Sequence, residues 1–67
     1  MRKNLQILRI DNDLTQEQMA ERLGVTRTTY NRIENAESGG SIEFWLAVKR
    51  EFPEVDIEEM TKVREKA

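Results

Sequence analysis

The chain has 67 residues, no cysteine and no histidine, and a net charge of −2 from 11 Lys and Arg against 13 Asp and Glu. Disulfides, the usual zinc centres and Ser-His or Cys-His catalysis are therefore excluded, and with no wall to shape a substrate pocket the chain reads as a non-enzyme. No apolar run approaches the ~20 residues of a membrane span, and the N-terminus lacks a signal peptide's apolar core, so a soluble, cytoplasmic protein is expected.

Five helices and no strands are predicted, in a single domain whose core runs over about residues 4–62. The first spans Lys3 to Asn12, with Leu5 and Leu8 inward, and the Asn12-Asp13 pair ends it. The second starts at Thr15, where Thr15 and Gln18 form a capping box and Leu14 can staple onto Met19. Met19, Ala20 and Leu23 make its buried stripe, and Gly24 closes it in a left-handed conformation. The third starts at Thr26. Tyr30 and Ile33 face inward, the Tyr30 hydroxyl at the rim, so Thr28, Asn31 and Arg32 face out with Arg27 on the flank.

The segment AESGG, 36–40, is a loop. The fourth helix begins at Ser41 and ends before Pro53, with Ile42, Trp45, Val48 and Phe52 on a helical period and Leu46 also expected to be buried. Asp56 caps the fifth, Glu59 completes a capping box, and Ile57, Met60 and Val63 form its stripe. The final REKA is expected to fray.

Leu14 to Asn35 thus reads as two short helices joined by a tight glycine turn, the second presenting arginines opposite an apolar face. That is the arithmetic of a helix-turn-helix, in which the second helix enters the major groove of DNA. The charge is divided accordingly: residues 1–35 carry a balance of +1 and residues 36–67 a balance of −3. The overall acidity counts against avid phosphate binding.

The residues Leu8-Arg9, Leu14-Thr15-Gln16, Met19-Ala20, Leu23-Gly24-Val25-Thr26, Tyr30 and Ile33-Glu34-Asn35 carry a resemblance. So do Ser41-Ile42, Trp45, Val48, Phe52 and Asp56-Ile57-x-x-Met60. The chain resembles the Cro/repressor-like (XRE-type) helix-turn-helix family of small phage and bacterial DNA-binding regulators. The resemblance implies an all-α, compact five-helix bundle, the lambda-repressor-like fold, that binds double-stranded DNA as a homodimer on a palindromic site. It implies a nucleoid-associated protein, and with cysteine and histidine both absent no cofactor and no metal are expected.

Carried over by position, the resemblance places Arg27, Thr28 and Arg32 on base edges, with Asn31 as a further reader. It places Gln16, Thr29 and Asn35 on phosphates and makes Arg9 and Glu34 a structural ion pair. The sequence departs from the family in three places. Ala36 and Glu37 stand where glycine and a basic residue are common, and an acidic side chain there opposes a phosphate contact. Lys49 stands for a small alanine, and one extra residue lies at Pro53-Glu54. Ile7, Ile10 and Phe44 are apolar beyond what the bundle can bury and form the candidate partner interface. That surplus and the acidic C-terminal half support an alternative function, a protein-interaction module or antitoxin-like partner on the same fold.

Overall fold

A computed structural model describes residues 1–62. The helices are α1 (Lys3–Asp11), α2 (Gln16–Leu23), α3 (Arg27–Glu34), α4 (Ile42–Glu51) and α5 (Ile57–Thr61), with no strand among the described residues. Val63 and the REKA tail lie outside them.

Local chemistry sets the helix starts. The Thr15 hydroxyl accepts from the Gln18 N–H at 3.1 Å while the Gln18 side chain accepts from the Thr15 N–H at 2.9 Å, so the capping box is complete. Thr26 accepts from the Thr29 N–H and Ser41 from the Phe44 N–H, each at 3.1 Å. Each such cap is worth about 1 kcal/mol. At α5 the Asp56 carboxylate accepts from the Glu58 N–H, one position short of Glu59, so the expected capping box is not made there.

The first three helices stop in the same way. Asp13, Gly24 and Ala36 have φ of 57°, 75° and 65°. The N–H of each bonds to the carbonyl three residues back (Ile10, Glu21, Ile33), and the next N–H bonds to the carbonyl five back (Arg9, Ala20, Arg32). This double closure satisfies otherwise orphaned helix carbonyls. Only one of the three positions is glycine, and alanine in this region pays a steric cost with no side-chain compensation. Ala36→Gly is therefore expected to stabilise the protein by about 0.5–1 kcal/mol, read as a higher urea midpoint. An unchanged or lower midpoint would show that Ala36 carries no strain.

The core is Leu5, Met19, Ala20, Leu23, Tyr30, Ile33, Phe44, Ala47, Val48 and Phe52. Helix α2 packs on α3 and α4, α1 on α3 and α5, and α4 on α5. The buried face of α4 differs from the predicted one. Phe44, Ala47, Val48 and Phe52 point inward, whereas Ile42 is 78% exposed, Leu46 is 63% exposed and Trp45 is half-buried. Helix α4 is apolar on almost every side, so periodicity allowed two registers, and contact with α2 and Tyr30 selects between them. The Phe44 ring lies 6.3 Å from that of Tyr30 and 4.9 Å, edge-on, from that of Trp45. Phe44 is 3% exposed, a core residue, which corrects its assignment to a partner interface.

The loop before α4 closes tightly. The Trp45 indole donates to the Gly39 carbonyl at 3.0 Å. Gly40 has φ of 76°, and a Cβ there would lie 2.9 Å from the indole nitrogen, so no larger residue fits without movement. After α4, the Lys49 ammonium donates to the Pro53 and Val55 carbonyls, each at 2.8 Å. The two departures from the family pattern in this region are thus one feature: the lysine fastens the longer turn.

Candidate nucleic-acid interface

The site is built on α3 and braced by α2. Thr26 fixes the start of α3, and the inward Tyr30 and Ile33 fix its rotation. Arg27, Thr28 and Arg32 are then exposed and Asn31 half-buried. These four residues and Glu37 line one open concavity of about 350 Å³. Among the described residues, Arg27, Arg32 and Glu37 make no ion pair. Two unpaired guanidiniums on a rigid helix face are suited to planar acceptors such as phosphate or the guanine edge.

Thr29 and Asn35 are also exposed. The Thr29 hydroxyl accepts from that of Thr26 at 2.9 Å. Asn35 begins a hydrogen-bond relay into the protein. Its amide donates to Asn31 at 3.0 Å, Asn31 donates to Gln16 at 3.1 Å, and Gln16 donates to Glu34 at 3.2 Å. Gln16 therefore links the two helices of the motif. Its amide nitrogen keeps one further N–H, and Asn31 reaches the concavity while held at both ends of its side chain.

The relay ends on a buried carboxylate. Glu34 is 1% exposed and also accepts from Arg9 at 2.9 and 3.3 Å and from the Tyr30 hydroxyl. Arg9 donates in addition to the Leu14 carbonyl at 2.9 Å. Burial alone would raise the Glu34 carboxyl, but the hydrogen bonds from Arg9, Tyr30 and Gln16 outweigh it and hold it below the ordinary carboxylate range. Tyr30 is raised by burial and by its bond to Glu34. The Arg9–Glu34 contact is present in the structure. The Tyr30 hydroxyl is fully buried rather than at the rim, because Glu34 sits one turn along the same helix and draws it inward.

One residue that positions the site had no sequence signal. Arg2 is 7% exposed, and its guanidinium donates to the carbonyls of Ile33 at 2.6 Å, Ser38 at 2.8 Å and Thr61 at 3.3 Å. It lies 5.7 Å from the Trp45 ring centroid, and its backbone N–H donates to the Glu34 carbonyl at 2.8 Å. It thus ties the end of α3 to the loop that follows and to α5.

The apolar surplus divides. Ile7 and Ile10 are 43% and 53% exposed on α1. Ile42, Trp45, Leu46, Ile57 and Thr61 line an apolar groove between α4 and α5. No group of His, Cys, Asp or Glu that could hold a metal ion occurs among the described residues, and no described helix is long and apolar enough to cross a membrane.

Two short helices joined at Gly24, the second capped, two-faced and bearing exposed arginines, define a helix-turn-helix DNA-binding protein. A helix-turn-helix family profile matches residues 5–60. The chain belongs to that family, the XRE-type, Cro/C1-like group of DNA-binding transcriptional regulators. No curated protein and no solved structure matches it significantly.

Proposed function

We propose that this chain is a sequence-specific regulator, a repressor that acts as a homodimer on a palindromic site with α3 in the major groove. The observation that carries the reading is the concavity on α3, where Arg27, Thr28, Asn31 and Arg32 converge and neither arginine is ion-paired among the described residues. Arg27 and Arg32 read guanine, Thr28 packs on a thymine methyl, and Asn31 assists at a base edge. Gln16, Thr29 and Asn35 hold phosphates and set the register. Arg9 and Glu34 fix the end of the reading helix. One such helix reads too few base pairs for useful specificity, so two-fold pairing of the protein belongs to the reading. Ile7 and Ile10 supply exposed apolar surface for that pairing. The site of action would be cytoplasmic, on the nucleoid.

Selection from random duplex DNA at low salt tests this. The wild-type protein is expected to enrich one two-fold motif. Arg32→Ala should bind it about tenfold more weakly or worse and lose discrimination at one guanine. If wild type enriches nothing, the reading fails. If it does and Arg32→Ala reads the motif equally well, only the role of Arg32 fails. The α4–α5 groove favours a second reading, a protein-interaction module or antitoxin-like partner, because Ile42 and Leu46 are so exposed there. A stable hetero-complex that survives nuclease, with no DNA motif selected, would establish it instead.

A further inference from the structure

We infer that Glu37 is a specificity-determining residue that selects cytosine in the major groove beside the guanine read by Arg32. This inference rests on the DNA-binding reading above and assigns one contact within it.

The backbone aims the residue. Ala36, at φ of 65°, reverses the chain over the end of α3, and the N–H groups of Glu37 and Ser38 both donate to the Arg32 carbonyl, at 2.8 and 3.2 Å. In this type of helix stop the residue after the turn comes back onto the side chain five positions before it, usually as an apolar pair. Here the two positions are Glu37 and Arg32. Both line the concavity with Arg27, Thr28 and Asn31. Glu37 is exposed and makes no ion pair among the described residues, so its carboxylate is not consumed internally.

Chemistry then narrows the partner. An ionised carboxylate can only accept hydrogen bonds. Phosphates, guanine O6 and N7, and thymine O4 are all acceptors, and each would repel it. The major groove offers only two donors, the amino groups of cytosine and adenine. Adenine carries the N7 acceptor next to its amino group, which suits an amide and opposes a carboxylate. Cytosine presents its N4 amino group without a neighbouring acceptor on the same base. Glu37 therefore favours one base and penalises the rest, and discrimination through repulsion needs no gain in affinity. The low positive charge outside α3 fits a protein that trades phosphate attraction for selection.

The test is selection from random duplex DNA with wild type, Glu37→Gln and Glu37→Ala. Wild type should fix a cytosine at one position of each half-site. Glu37→Ala should lose that preference by about tenfold, with the other positions unchanged. Glu37→Gln should shift the same position toward adenine, which glutamine can hold through N6 and N7. If both variants keep every wild-type preference and bind all sequences more tightly, Glu37 only repels phosphate and the inference is overturned. If wild type selects no motif, the DNA-binding reading falls and takes this assignment with it. The first failure leaves a wild-type motif in hand and the second does not, so the two are distinguishable.

Discussion

Arg9→Met is expected to destabilise the protein by about 3–5 kcal/mol at neutral pH, a large share of what holds it folded. A domain of this length holds only about 3–10 kcal/mol in all. The methionine keeps the packing of the arginine stem, but it strands the Glu34 carboxylate, which is 1% exposed and then has only Tyr30 and Gln16 as donors. The effect carries a pH signature. In wild type the Glu34 carboxyl is held below its unfolded value, so its contribution is present above the unfolded pKa of about 4.3 and is lost as pH falls through the folded one. Without Arg9 burial dominates and the carboxyl moves up instead. The gap between wild type and variant should thus be widest near pH 7 and should shrink as pH falls, first through the variant's raised carboxyl and then through the wild type's lowered one. Tyr30 sets the other edge. Its hydroxyl is raised in the folded state, so wild-type stability should fall as pH rises past the ordinary tyrosine value of about 10. Urea titrations followed by circular dichroism across pH measure all three. A gap that does not vary with pH would show that Arg9 acts through packing alone.

Arg2→Met is expected to cost about 2–3 kcal/mol. The guanidinium satisfies three carbonyls from separate parts of the chain, those of Ile33, Ser38 and Thr61, and it does so almost wholly out of water. Burial lowers its pKa, and the carbonyls and the Trp45 ring are what make the buried charge tolerable. Arg2→Lys should recover only part of the loss, because an ammonium is a compact charge that cannot span the same fork of acceptors. The urea midpoint orders the three proteins, and Trp45 fluorescence should change most in Arg2→Met, where no cation remains near its ring. Equal midpoints for wild type and Arg2→Met would mean that water replaces the guanidinium at no cost.

Hydrogen bonds between near neighbours in the chain are legible in its sequence, and packing between helices is not. The starts of α2, α3 and α4 were legible because each cap is a hydrogen bond between residues three apart, and a threonine or serine before an apolar stripe is enough to mark it. The turn at Gly24 was legible for the same reason, whereas alanine by itself does not mark a left-handed backbone, so the turn at Ala36 was legible only through the glycine common there in similar proteins. The outward face of α3 followed from Tyr30 and Ile33. The rotation of α4 did not follow from its own residues. With Ile42, Phe44, Trp45, Leu46 and Val48 all apolar, only the positions of α2 and Tyr30 decide which of them is buried, so the period alone misplaces Ile42, Phe44 and Leu46. The clamp of Arg2 was invisible because its partners are main-chain carbonyls, which every residue has. At the candidate interface the residue types were readable, but the Asn35–Asn31–Gln16–Glu34 relay was not, since each link depends on side chains from α2 and α3 meeting.

That one carboxylate collects donors from α1, α2 and α3 also bears on how the molecule comes apart. If α1 detached while the reading motif stayed folded, Glu34 would lose Arg9. If α2 detached, it would lose Gln16. Either partly open form leaves a charge short of partners in a poorly hydrated site, so such forms are sparsely populated. The first three helices should open as a single cooperative unit, with their slowest-exchanging amides sharing one opening free energy. Helix α5 contributes nothing to Glu34 and can leave that unit at lower cost. Hydrogen exchange should therefore divide this small protein at the α4–α5 turn, with the DNA-reading motif entirely on the side that opens last.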